Sequence, residues 1–255
     1  MSAAESPPPM RADGYERAYL VLAGLFIAAL VTCNLIFQKF FVLEIPLPGG
    51  STYVFEQSVG ILAYPLTFLV TDVLSEIYGA RRANQVVLAG LVASVFTTAL
   101  VELADVVGSA SFGIGDAVFH QVFGLSKVAV FASMMAYLLA QFIDIRLFHF
   151  WRRLTEGRHL WLRNNASTMT SQIADTFVVL ALLASFGAAG ITWEVVPRLF
   201  VAGLAFKVCF AAVDTPLVYL AVWWLERRFP AQVAALRRAE AQAHEASAAR
   251  ARAAS

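Results

Sequence analysis

ASTMTSQIADTFVVLALLASFGAA, Ala166–Ala189, is long enough as a helix to cross the roughly 30 Å hydrocarbon core of a bilayer, yet it holds an aspartate, Asp175, well inside the run. Thr168, Ser171, Gln172 and Asp175 share one face at helical spacing, and most of the remaining positions are apolar. The segment therefore reads as a membrane-spanning helix with one polar stripe.

Working outward, the criterion of about 20 mostly apolar residues selects five more runs: Tyr19–Val42, Gln57–Tyr78, Asn84–Val107, Lys127–Trp151 and Val196–Leu225. Composition agrees, since 59% of the 255 residues are hydrophobic, 15% are charged and the mean hydropathy is +0.68. The fold class expected is an all-α membrane protein of six transmembrane helices over 19–225. A disordered N-terminus, 1–18, and an Ala/Arg-rich tail, 226–255, flank it. The 19 basic and 18 acidic residues nearly cancel, which argues against a nucleic-acid partner. Arg11, Arg17, Arg81, Arg82, Arg152, Arg153, Arg158, Arg163, Arg227 and Arg228 fall at the termini and in alternate connections, so both termini are expected in the cytoplasm. The connection LEIPLPGGST, Leu43–Thr52, with two prolines and two glycines, reads as a turn or short hairpin on the other side. Cys33 and Cys209 lie in apolar runs and are expected as small core residues.

Charges inside these runs narrow the function. An aspartate at a helix centre costs about 3 kcal/mol on insertion scales, and Asp72, Asp144, Asp175 and Asp214 all lie in apolar segments. The sum, on the order of 10 kcal/mol, is too large beside a net stability of about 5–15 kcal/mol for all four to face lipid. They are expected to point into the bundle, either as interhelical hydrogen-bonding groups or as the lining of a pathway. Tyr64, Phe68, Asp72 and Glu76 recur every four residues along one face, with Pro65 expected to kink that helix. Gln141 and Asp144 share a face of the fourth run, and Asn34 and Gln38 sit one turn apart in the first. Lys207 and Asp214 share a face of the last, with Pro216 beyond, and Lys207 has a candidate counter-ion in Asp175 or Asp214. Glu76 is expected to pair with Arg81 or Arg82 at the interface. The polar middle helix of each three-helix half suggests inverted repeats with a site at their interface. His120 and His159 read as loop residues and His149 as interfacial. No metal-ligand spacing, serine–histidine dyad or phosphate loop is present, so no metal, cofactor or catalytic residue is expected.

Four blocks in order, YPLTFLVTDVLSEIYG (Tyr64–Gly79), MAYLLAQFIDIRLFHFWRR (Met135–Arg153), ASTMTSQIADTF (Ala166–Phe177) and FKV (Phe206–Val208), resemble the vitamin uptake transporter family over roughly 19–225. The resemblance implies a multi-pass importer of the bacterial inner membrane carrying queuosine precursors. Its substrate would be the 7-deazaguanine base 7-cyano-7-deazaguanine or its aminomethyl relative. The substrate-binding residues expected are Asn34, Gln141, Asp144, Gln172 and Asp175, and the gating or coupling residues Asp72, Lys207 and Asp214. The partners expected are the base and the lipid bilayer, with a homodimer left open. The rival readings are an importer or substrate-binding subunit for another planar vitamin or nucleobase, and an integral-membrane enzyme. The spread of polar residues through the membrane depth speaks against the enzyme.

Overall fold

A computed structural model describes residues 10–46, 48–154, 160–239 and 242. The extreme N-terminus, the end of the tail, Arg158 and His159 lie outside the described residues. Helix α1, Met10–Ile36, leads into a hairpin of β1, Phe40–Pro46, and β2, Thr52–Ser58. A 3-10 segment, Val59–Ala63, runs directly into α2, Tyr64–Tyr78. Then follow α3, Ala80–Val106; α4, Asp116–Phe123; α5, Ser126–Leu154; α6, Leu160–Ser185; and α7, Val196–Arg228. Residues 230–239 form a final helix, α8.

Each apolar run of the sequence falls largely in a helix, with instructive differences at the ends. The first run stops being helical at Ile36, because its last residues enter β1. β1 and β2 pair antiparallel from Phe40 with Ser58 to Pro46 with Thr52, so the second run opens as strand and 3-10 turn rather than α-helix. The hairpin turns where Gly49 and Gly50 take φ of +111° and +83°, a region that side-chain-bearing residues avoid. Pro65 is not an interior kink: it occupies the first turn of α2, where its missing N–H leaves no hydrogen bond unmade. Pro216, by contrast, does lie inside α7. The connection Gly108–Ser126 contains α4, so His120 is a helical residue rather than a loop residue. Cys33 is half-buried, but Cys209 is exposed, not a core residue.

Among the described residues, Gly14–Ile36, Val59–Tyr78, Arg81–Val106 and Asp116–Tyr137 are long and apolar enough to cross a bilayer. Large apolar side chains crowd the surface of these and neighbouring helices. On α3, Phe96 is 62% exposed, Leu103 62% and Val106 83%, while Ser94 is buried. Water would penalise that inverted arrangement, and lipid favours it. The chain is a mostly helical membrane protein.

The chain divides into two compact units. One comprises Met1–Ala29, Pro65–Gly90 and Ala212–Ser255. Its core is built on Tyr15 and Tyr78, whose rings lie 4.4 Å apart while each hydroxyl donates to a backbone carbonyl, Tyr15 to Ile77 at 2.6 Å and Tyr78 to Tyr15 at 3.0 Å. Arg82 grips Glu16 through both nitrogens, at 2.9 and 2.6 Å, and stacks 4.4 Å over Tyr19. Glu76 pairs with Arg237 of α8 at 3.0 Å instead of with Arg81 or Arg82; Arg237 also holds Glu226.

The other unit comprises Leu30–Tyr64 and Leu91–Ala211. Phe37, Leu180, Leu183, Ile191, Val196 and Leu199 form its core around small residues such as Ala132 and Ala188. The end of α1 packs so closely on the 3-10 segment that a Cβ on Gly60 would sit 2.6 Å from the Cys33 carbonyl. Two polar links tie the hairpin to α7: Arg198 to Glu56 at 2.8 Å, and Gln57 Nε2 donating to the Leu199 carbonyl at 3.4 Å.

Candidate functional site

Within this second unit, α6 and α7 bring opposite charges together. Lys207 Nζ donates to Asp175 Oδ2 at 2.8 Å and to Thr176 Oγ1 at 2.9 Å. Thr176 in turn donates to the Gln172 carbonyl one turn earlier, at 2.9 Å, so its hydroxyl presents a lone pair to the lysine. The ammonium lies 5.3 Å from the centre of the Tyr64 ring, and the Tyr64 hydroxyl shares a hydrogen bond with Asp175. Lysine and aspartate side chains are only 15% and 14% exposed, so the pair is largely withdrawn from solvent. Gln172 completes the cluster with a buried Oε1 that has no hydrogen-bond partner.

Local sequence explains the assembly. Asp175 and Thr176 are adjacent on α6, with Gln172 three and four residues before them, so all three reach one side of the helix. On α7, Gly203 precedes Lys207 by one turn. A Cβ there would meet Gln57 Nε2 at 3.2 Å and the Thr176 methyl at 3.4 Å, so glycine lets β2 and α6 approach α7 closely beside the pair.

The expected residues therefore separate. Asp175, Gln172 and Lys207 come together, and Asp175 is the counter-ion of Lys207 among the described side chains. Asn34 belongs to a second polar cluster, donating to the Leu30 carbonyl at 3.2 Å and accepting from Ser133 at 3.2 Å. Asp72 lies on α2 with an exposed side chain, and its segment, like that of Asp214 on α7, belongs to the first unit. Gln141 and Asp144 lie on α5; their side chains and that of Asp214 are outside the described set. Thr176, Gly203 and Gln57 were not singled out by the sequence. Their only signal there is spacing: Thr176 follows Asp175, and Gly203 sits one turn from Lys207.

Cation and carboxylate, an aromatic ring, a hydroxyl and an amide thus converge among apolar helices, with no group of three metal-ligating side chains among the described residues. Such a set can bind a flat polar molecule by paired hydrogen bonds and stacking. A family profile described as "Putative vitamin uptake transporter" matches residues 58–221, which include every residue of this cluster except Gln57. The chain belongs to the vitamin uptake transporter family. A relative from Bacillus subtilis (strain 168), "Probable queuosine precursor transporter", is 28% identical over 167 residues, 64% of this chain and 71% of the relative. The "Queuosine precursor transporter" of Escherichia coli (strain K12) is 30% identical over 122 residues, 48% and 52% of the two chains. A "Probable queuosine precursor transporter" of Haemophilus influenzae (strain ATCC 51907 / DSM 11121 / KW20 / Rd) is 23% identical over 170 residues, 66% and 70%. No solved structure gives a significant match. As a vitamin uptake transporter family member the chain is a transporter, not an enzyme.

Proposed function

We propose that this chain imports queuosine precursors across the bacterial inner membrane, binding 7-deazaguanine bases at Asp175. The substrate is 7-cyano-7-deazaguanine, with the aminomethyl base as a second cargo. The observation that carries the reading is the Lys207–Asp175 pair, largely withdrawn from solvent. Ion pairs withdrawn from water recover their desolvation cost poorly, and a well-packed apolar replacement is often as stable. A transport site gives a reason for keeping one.

A guanine-like edge offers a ring N–H beside an exocyclic amino group, and a carboxylate accepts both in parallel. Arrival of the base draws Asp175 off Lys207, and the freed ammonium donates to the base carbonyl. Gln172 Oε1, buried and without a partner, supplies a further acceptor, and the Tyr64 ring supplies a face on which the base stacks. Neither charge is left bare in this exchange, so the barrier of exposing a lone ion to the membrane interior is avoided.

The remaining expected residues keep their roles in this proposal. Asn34, Gln141 and Asp144 complete base recognition, while Asp72, Lys207 and Asp214 gate or couple the cycle. The architecture proposed is six transmembrane helices over 19–225, both termini cytoplasmic, as two inverted three-helix halves, able to pair as a homodimer. The arginine distribution and the apolar surface of the helices support it.

The reading is tested in bacteria unable to make 7-deazaguanines and lacking their own importer. Supplying the cyano base should restore queuosine in tRNA when this chain is expressed, and Asp175→Asn should abolish the restoration while still inserting in the membrane. Failure of a well-inserted wild-type chain would refute the substrate, and full activity of Asp175→Asn would remove Asp175 from the site.

A further inference from the structure

The last turns of α7 carry a graded series of side chains for which base transport has no use. In the part of the helix that belongs to the first unit, two rows run side by side at four-residue intervals, Tyr219–Trp223–Arg227 and Leu220–Trp224–Arg228. All six side chains are exposed, and the large indoles are open to a ligand, Trp223 by 48% and Trp224 by 58%. At a rise of about 1.5 Å per residue the rows extend roughly 12 Å along the axis. Toward the C-terminus they pass from phenol and hydrocarbon through indole to guanidinium.

The two arginines at the end of the rows are unspent. Arg227 Cζ lies 4.2 Å from the centre of the Trp223 ring and Arg228 Cζ 6.0 Å from that of Phe229, but neither guanidinium forms an ion pair among the described residues. A guanidinium lying over a ring keeps its N–H edge free to grip two oxygens at once. The neighbouring acids do not compete for it. Glu226 precedes Arg227 in the chain, yet Arg237 of α8 holds both Glu226 and Glu76. The end of α7 thus presents two cations that no described carboxylate neutralises, one turn beyond a pair of exposed tryptophans. Tryptophan favours the level at which a bilayer passes from hydrocarbon to head groups.

We infer that this face of α7 binds an anionic phospholipid. Arg227 and Arg228 hold the phosphate, Trp223 and Trp224 pack on the glycerol ester level, and Tyr219 and Leu220 lie against an acyl chain. The order of the side chains along the helix is the order of those groups along a lipid. Exposed Val213 and Leu217 continue the apolar surface further into the membrane. A soluble phosphate ester or a nucleic acid would meet the arginines and leave the apolar two-thirds of each row without a partner. A zwitterionic head group brings a cation of its own toward two arginines, whereas a lipid of net negative charge complements both ends of the rows.

The test uses the full-length chain purified in detergent and titrated with dioleoylphosphatidylglycerol, with dioleoylphosphatidylcholine, or with glycerol 3-phosphate in solution. The anionic lipid should raise the melting temperature in a saturable manner, because a ligand that binds only the folded state stabilises it by mass action, and the other two should not. Arg227→Gln with Arg228→Gln should melt with the wild type in detergent alone, since both side chains are exposed, yet need roughly fivefold more anionic lipid for each arginine removed. Arg81→Gln with Arg238→Gln removes the same charge from exposed positions off α7 and should leave the titration unchanged. As a second measurement on the wild type, phosphatidylglycerol with brominated chains should quench tryptophan fluorescence more strongly than brominated phosphatidylcholine, and Trp223→Phe with Trp224→Phe should remove the difference. An equal response to the two lipids, full stabilisation by glycerol 3-phosphate, an undiminished effect in the Arg227 and Arg228 variant, or an equal loss in the Arg81 and Arg238 variant would overturn the inference. None of these readouts involves the deazaguanine substrate, so the two proposals stand or fall separately.

Discussion

Lys207 is held by three different kinds of contact: an ion pair with Asp175, a hydrogen bond to Thr176 and the face of Tyr64. Removing it strands a carboxylate in an apolar setting, whereas removing both partners leaves no charge behind. Lys207→Met should therefore cost about 3 kcal/mol, and Lys207→Met with Asp175→Leu should recover most of that loss. Thermal melting of the purified variants checks this; a double variant no more stable than the single one would mean that the pair is not energetically closed. Both partners were legible in the sequence, because a charge inside an apolar run is conspicuous. The choice between Asp175 and Asp214 was not, since helical spacing orders residues on one helix and says nothing about which face a second helix presents. Thr176 was invisible for another reason: a threonine beside an aspartate looks like any polar neighbour until its hydroxyl is seen to orient the lysine. Glu76 shows the opposite failure. Nearby Arg81 and Arg82 offered an obvious partner, but Arg82 is taken by Glu16, and Glu76 finds Arg237, 161 residues away.

At the level of elements, the helices followed from apolar length, and what escaped was the chemistry of their ends. Residues Phe40–Val42 extend the first apolar run yet belong to a strand, because aromatic and β-branched residues suit a pleated surface as well as a lipid-facing helix. Pro65 was read as a kink because a continuous helix from Gln57 was assumed; with β2 and a 3-10 turn before it, the same proline starts a helix. Gly60 fastens this corner, and its Cβ position lies 2.6 Å from a carbonyl that cannot swing away. Gly60→Ala should destabilise the protein by about 2 kcal/mol or more, read as a lower melting temperature, while Gly24→Ala, with open space around its Cβ position, should not. Gly203→Val should push Gln57 and Thr176 off α7 and reduce uptake with membrane insertion preserved. Undiminished uptake by that variant would show that the close approach of β2, α6 and α7 does not matter for transport.

At the scale of the whole molecule, apolar excess and arginine placement carried the membrane assignment. The apolar side chains exposed along α3 and α7 bear out lipid as their surroundings. The proposed orientation places the hairpin turn at Gly49 and Gly50 outside the cell and the Gly79 bend with α8 inside. Single cysteines at Ser51 and Ala231, in a chain with Cys33 and Cys209 replaced by alanine, should respond oppositely to a membrane-impermeant thiol reagent in intact cells: Ser51→Cys labelled, Ala231→Cys protected. Labelling of both, or the reverse pattern, would contradict the orientation. The central claim is transport of a deazaguanine base through the Asp175 site, and uptake of labelled 7-cyano-7-deazaguanine by proteoliposomes containing only this protein tests it most directly. The account predicts saturable uptake by the wild type, abolished in Asp175→Asn; uptake no greater than in empty liposomes, from protein shown to be folded and inserted, would contradict it.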